Sequence, residues 1–222
     1  MDGVGVPEPG VLAAAVAVTY LEASIPVAYL LGRRWGLDLW EVGTGNPGTA
    51  NLFRNAGLAP AALAGPLTFL QGLAPLIVAR LAGWGEVAVG MLAVAAVAGN
   101  GFPFLLGFRG GRAAAVGTGA MAGLCLPAFV VLLTCYAAGA LVQALPVATL
   151  MGYGLAVATA WWAQGLPAAA AAAAILAILL VRRLDGLNED LRSGDPAWRV
   201  LVGRLVLDRR PGQRLVGARR PR

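Results

Sequence analysis

The sequence contains no histidine, and its 17 basic residues are all arginine, because lysine is absent too. The missing histidine removes the usual neutral-pH general base and the commonest metal ligand. The missing lysine beside abundant alanine fits GC-rich coding, so an arginine here is not in itself a sign that chemistry preferred it to lysine. Charge of either sign is scarce, at 13% of residues where soluble domains carry about 25%. Cys125 and Cys135 are the only thiols, and both lie in apolar runs. They read as packing residues, with neither a disulfide framework nor zinc-ligand spacing. The first ten residues, MDGVGVPEPG, lack the basic n-region of a signal peptide, so the apolar run behind them is expected to be retained.

What is present is oil. Hydrophobic residues make up 59% of the 222 positions, and the mean hydropathy is +0.73. A soluble domain of this size could not be coated with so little polar surface. The expected class is an all-α integral membrane protein. Apolar stretches occupy residues 11–32, 58–82, 86–106, 113–126, 128–145, 147–163 and 167–181, with Pro127 splitting a run too long for one span. About seven transmembrane helices follow. Arg33, Arg34 and Arg54 fall between the first two, Arg109 and Arg112 between the third and fourth, and more arginines follow Arg182. Seven spans gather all of these on one side, which the positive-inside rule makes cytoplasmic, with the N-terminus outside and the C-terminus inside. Residues 1–185 read as the membrane domain. Residues 186–222 read as an Arg-rich cytoplasmic tail facing anionic headgroups. The pairs Gly32/Gly36 and Gly119/Gly123 read as close helix packing within a monomer. Tryptophans near span ends read as interface anchors.

Two polar segments interrupt the oil on the same side. The first is EVGTGNPGTANLFR, residues 41–54; the second contains GFRGGRAAAVGTG, residues 107–119. Gly43, Gly45 and Gly48 permit positive φ and close approach of backbone to a ligand, and successive free amides make an anion-binding concavity. Thr44, Asn46, Thr49 and Asn51 add neutral donors, and Arg54 adds a fork suited to phosphate oxygens. Arg109-Gly110-Gly111-Arg112 repeats the recipe just before a helix, whose N-terminus favours an anion. The pattern points to one or two phosphorylated groups. Neither a P-loop lysine nor a dinucleotide fingerprint is present, and no nucleic-acid or metal motif is found.

The residues SIPVAYLLGR, GTGNPGTANLFRNAG and AGNGFPFLLGFRGGRAAAVGTG resemble the bacterial acyl-phosphate-dependent glycerol-3-phosphate acyltransferase family. The resemblance implies a seven-span inner-membrane enzyme with a cytoplasmic active face and no cofactor. Its reaction would move an acyl group from acyl phosphate to glycerol 3-phosphate, giving lysophosphatidic acid. It implies catalytic roles for Arg54, Arg112 and Thr44. Phosphate or substrate contacts would come from Ser24, Gly43, Gly45, Asn46, Gly48, Asn51, Asn100, Arg109, Gly110, Gly111 and Asn188. The chain departs from the family pattern at several places: Thr44 stands for Ser, Arg112 for Lys, Asn100 for His and Val116 for Thr. Thr68 and Gln71 occupy the places of an Asp and a Lys. The third motif region, MGYGLAVATA, offers only Tyr153 and Thr159 as hydroxyls, and the fourth offers Arg183, Asn188 and Arg192. Two other readings stay open on residues alone. One is a non-catalytic relative that binds a phosphorylated metabolite or lipid headgroup. The other is an anion transporter, for which Glu22 is the one charge set well inside a span.

Overall fold

The computed structural model describes residues 5–192 and 196–206, the side chains of 188 and 189 excepted. Its helices are α1 (Pro9–Ala23), α2 (Val27–Arg34), α3 (Thr49–Ala56), α4 (Leu58–Leu81), α5 (Glu86–Gly101), α6 (Ala114–Leu124), α7 (Leu126–Leu141), α8 (Leu145–Gln164), α9 (Leu166–Arg183), α10 (Leu187–Leu191) and α11 (Ala197–Leu205), with a 3-10 turn at Phe104–Leu106. No strand occurs among the described residues, only an isolated bridge between Gly5 and Trp84. By length and composition, five segments of the described residues can cross a membrane: α1 with α2, α4, α5 with the turn after it, α8 and α9. The helices α6 and α7 are apolar but shorter.

Proline marks four of the helix starts. Pro9, Pro127, Pro146 and Pro167 lie in the first turn of α1, α7, α8 and α9, where a missing N–H costs nothing and the ring presets φ. The split within 113–145 falls at Cys125, whose backbone is extended, with Pro127 in the first turn that follows. Arg80 takes the carbonyls left over at the end of α6, donating to Gly123 O and Leu124 O at 2.7 Å. The same guanidinium pairs with Glu86 at 3.0 and 3.2 Å and so ties α4 to α5.

The first apolar stretch is two helices, not the single helix expected over 11–32. Pro26 cannot donate to Glu22 O, and its ring pushes that carbonyl aside. Gln71 of α4 repairs the break: its Nε2 donates to Glu22 O and Ile25 O, both at 3.1 Å. Helix breaks at membrane depth survive where a neighbour satisfies the freed backbone.

The helices α4 and α6 run side by side in the same direction at very short range. A Cβ on Gly72 would overlap the Val116 carbonyl, and one on Gly119 would overlap that of Phe69. Gly119 and Gly123 thus pack within the chain, as read. Gly36 does not: it holds φ +73° with no neighbour within 4 Å, so it ends a helix instead of packing one. The register sets α6 beside residues 69–76 of α4. About ten residues of α4, roughly 15 Å, therefore extend past the start of α6 and wall a recess there.

Beyond α9 the chain folds back. Arg204 is buried, paired with Asp190 and bonded to Asp185 O, and Arg183 reaches Leu205 O. The picture of all tail arginines facing headgroups is corrected here: Arg204 is buried, as are Arg182 and Arg183 just ahead of the tail, because backbone carbonyls and aspartates take their donors. Residues 207–222 lie outside the described residues.

Candidate active site

The recess is a cavity of about 790 Å³ at one end of the bundle. There α5, α7 and α9 finish, and α4, α6 and α8 begin. Three arginines line it: Arg54, Arg112 and Arg183. No Asp, Glu or Cys lines it among the described residues.

The loop ahead of α3 is organised around Asn51, which is buried. Its Nδ2 donates to Leu39 O and Val42 O at 3.0 Å, and its Oδ1 accepts from Thr44 N at 3.0 Å. Gly43 and Gly45 hold φ +59° and +65°, and a Cβ on Gly43 would strike Asn51 Oδ1. Asn51 is thus the pin of the loop and has no donor left for a ligand, which corrects its assignment as a phosphate contact. The amides of Thr44 and Gly45 are also bonded inside the loop. Gly48 is extended, at φ −94°, and caps α3. Thr44, Asn46 and Pro47 line the cavity, and Gly48, Thr49 and Ala50 open α3 onto it.

The RGGR loop meets it. Gly111 lies against Asn46 and Gly48, at 3.3 to 3.8 Å from where its Cβ would be. Gly110 has no room for a side chain, being pressed on Pro103 and the carbonyls of Asn100 and Gly101. Arg182, not read as functional from sequence, clasps this loop from behind: Nε donates to Gly111 O at 3.2 Å and Nη2 to Gly110 O at 2.7 Å. Because a trans peptide points its N–H opposite its C=O, the N–H of Gly111 is turned away from Arg182. Arg112 returns the clasp by donating to Arg182 O at 3.0 Å, a cation on a helix C-terminus. Two helix N-termini, those of α3 and α6, thus open on one cavity, and each favours an anion there.

Of the residues named from sequence, Ser24, Thr44, Asn46, Gly48, Asn51 and Arg54 line the cavity, as do Asn100, Gly110, Gly111 and Arg112. Ser24 is buried and donates to Tyr20 O at 2.8 Å, so its hydroxyl proton serves the α1 break. Arg109 does not line the cavity; its guanidinium lies 5.6 Å over the Trp40 ring, where the aromatic face holds it. The Asn188 side chain lies outside the described residues. Thr159 is half-buried, donates to Leu155 O and does not line the cavity. Asn46 Oδ1, Thr49 Oγ1 and Thr68 Oγ1 are buried and make no hydrogen bond among the described residues, and all three residues line the cavity.

Sequence reading missed Tyr136, Thr118 and Thr149, which complete the far wall. Their one signal was polarity inside apolar runs. The side wall is apolar, with Leu58 and Ala62 of α4 facing Ala137, Ala140 and Leu145 of α7 and α8.

Comparison with known proteins places this architecture. A model of the glycerol-3-phosphate acyltransferase family matches residues 13–191. A glycerol-3-phosphate acyltransferase of Rubrobacter xylanophilus is 42% identical over 112 residues, 50% of this chain and 56% of that protein. One from Roseiflexus sp. is 42% identical over 106 residues, 48% and 52% of the two chains. The chain thus spans about half the length of the curated relatives it matches. A crystal structure of PlsY (YgiH), an integral membrane glycerol 3-phosphate acyltransferase, in its glycerol 3-phosphate form, superposes with a TM-score of 0.75 at 24% identity, over 84% of this chain and 95% of that one. At that identity the likeness speaks for the fold. With the family model covering most of its length, the chain belongs to the glycerol-3-phosphate acyltransferase family.

Proposed function

We infer that the protein transfers an acyl group from acyl phosphate to glycerol 3-phosphate, giving lysophosphatidic acid and inorganic phosphate. The reading adds seven membrane spans, an outside N-terminus, and a site facing the cytoplasm of a bacterial inner membrane. Residues 1–185 act as the membrane unit and the segment from 186 as the cytoplasmic tail. The observation that carries the reading is the meeting of two glycine loops, two helix N-termini and three arginines on one cavity. Both substrates bear phosphate, and this end of the cavity suits phosphate.

The chemistry asks little of a nucleophilic side chain. The acceptor hydroxyl oxygen attacks the acyl carbonyl carbon, the C–O bond to phosphate breaks, and phosphate leaves with the electron pair. The hydroxyl proton passes to a phosphate oxygen, since no carboxylate or imidazole lines the cavity among the described residues. Arg54 makes no hydrogen bond or ion pair among the described residues and lines the cavity, so its fork is available to a phosphate. The protein's part is to hold the two substrates together and to stabilise developing charge.

The test is phosphate release by the purified full chain supplied with acyl phosphate and glycerol 3-phosphate. Arg54→Ala is expected to lower the rate by about 10²–10³. Saturable binding of glycerol 3-phosphate without any release would favour a second reading, a non-catalytic relative that binds a phosphorylated metabolite or headgroup. The observation on that side is Gln71, whose amide is committed to the α1 break.

A further inference from the structure

A chain of hydroxyls runs into the cavity wall one helical turn from the anion-binding end. Thr118 Oγ1 donates to Ala114 O at 2.8 Å. Tyr153 OH, fully buried, donates to the same carbonyl at 3.1 Å. Tyr136 OH lies 3.3 Å from Thr118 Oγ1. Threonine has one proton to give, and Thr118 gives it to Ala114. The direction of the chain is therefore set: Tyr136 donates to Thr118, and Thr118 donates to Ala114. The neighbouring hydroxyls of Tyr153 and Thr149 give their protons to Ala114 O and Leu145 O, so the Tyr136 oxygen keeps its lone pairs, and both Tyr136 and Thr118 line the cavity. A group in that position accepts a hydrogen bond from a ligand O–H.

Ala114 is the first residue of α6, whose N-terminus belongs to the anion-binding end. Thr118 lies four residues on, about 6 Å along the axis. Along α6 the anion seat and the Thr118–Tyr136 pair are thus about one turn apart, a span that a three-carbon polyol phosphate can bridge.

We propose that Tyr136 is an acceptor-binding residue, whose phenol oxygen receives a hydrogen bond from the acceptor hydroxyl that is not acylated. This rests on the acyltransferase reading and adds a residue that sets the acceptor class: a phosphorylated polyol over a plain alkyl phosphate. The relay ends on a backbone carbonyl that cannot be protonated at neutral pH, so Tyr136 orients the hydroxyl and does not remove its proton.

Two ligands separate this role from a packing one. Isothermal titration of the full chain with glycerol 3-phosphate and with n-propyl phosphate, which lacks both hydroxyls, is the experiment. Tyr136→Phe should weaken glycerol 3-phosphate about tenfold and leave n-propyl phosphate unchanged. Thr118→Val, which removes the partner that orients the Tyr136 hydroxyl, should move the two ligands in the same selective way. In turnover, Tyr136→Phe should raise KM for glycerol 3-phosphate without changing KM for acyl phosphate. Equal loss on both ligands, or no loss on either, overturns the proposal while leaving the acyltransferase reading intact if the unmodified protein binds glycerol 3-phosphate and releases phosphate. If the unmodified protein binds neither ligand, both readings fall.

Discussion

At Gly110 the site depends on the absence of a single atom. A Cβ there would overlap Pro103 Cδ and the carbonyls of Asn100 and Gly101, so even alanine must push backbone against backbone. Gly110→Ala is expected to destabilise the fold by about 1–3 kcal/mol, read as a lower unfolding midpoint in detergent, and to displace the Gly110 and Gly111 carbonyls from Arg182. The glycines themselves were legible in the sequence as the marks of two tight loops. What could not be read was which of them serve conformation and which serve proximity. Gly43 and Gly45 hold positive φ, whereas Gly48 is an ordinary extended cap. Asn51 makes the same point. As a residue type it could have been a phosphate donor or a loop pin, and only the positions of Leu39 O and Val42 O make it the pin.

Among the elements, the α1–α2 break is the one on which the site leans. It places Ser24 and Pro26 on the cavity wall, and Gln71 braces it as a second donor to two carbonyls that also accept from Ile25 N and Val27 N. Gln71→Leu keeps the size and removes the donor, leaving Glu22 O and Ile25 O without it. A loss of about 1–3 kcal/mol is expected, measurable by thermal or denaturant unfolding in detergent, with a fall in any glycerol 3-phosphate affinity as the wall loosens. Pro26 announced the break in the sequence, although a continuous apolar run from 11 to 32 masked it. The element that mends the break lies 46 and 49 positions away, a separation at which local pattern carries no signal. The position of α6 is similar. Its glycine spacing signalled close packing, but the register on α4 that recesses the cavity came from which carbonyls Gly72 and Gly119 meet.

For the whole molecule, the described helices place the ends bearing Arg54, Arg112, Arg182 and Arg183 together and set the Arg80–Glu86 pair elsewhere. Arginine distribution then predicts sidedness. A reporter active only in the cytoplasm should work when fused near the C-terminus and fail when fused near the N-terminus; the reverse pattern would place the cavity outside. The buried tail arginines limit how much of the charge acts by that rule. Arg204 is buried against Asp190 and Asp185 O, whereas Arg33, paired with Asp38, and Arg109, over Trp40, are exposed where headgroups can reach them.

The sequence by itself determined the class of the molecule and its punctuation. Apolar runs of spanning length must become helices, since backbone groups in lipid have no other partners, and Pro127, Pro146 and Pro167 mark helix starts because a first-turn residue needs no N–H partner, although Pro66 and Pro75 lie inside α4. It also placed two glycine-rich, arginine-bearing loops on one side of those helices. The tertiary structure alone decided what each polar group is free to do. Arg109 is turned onto Trp40, Arg112 holds the Arg182 carbonyl while Arg182 holds those of Gly110 and Gly111, and Gln71 is committed to a helix break. Tyr136 and Thr118 are aligned into an acceptor from separate helices. The physical reason is that a side chain's donors and acceptors are finite: long-range packing fixes which are taken within the protein and which are left for a ligand.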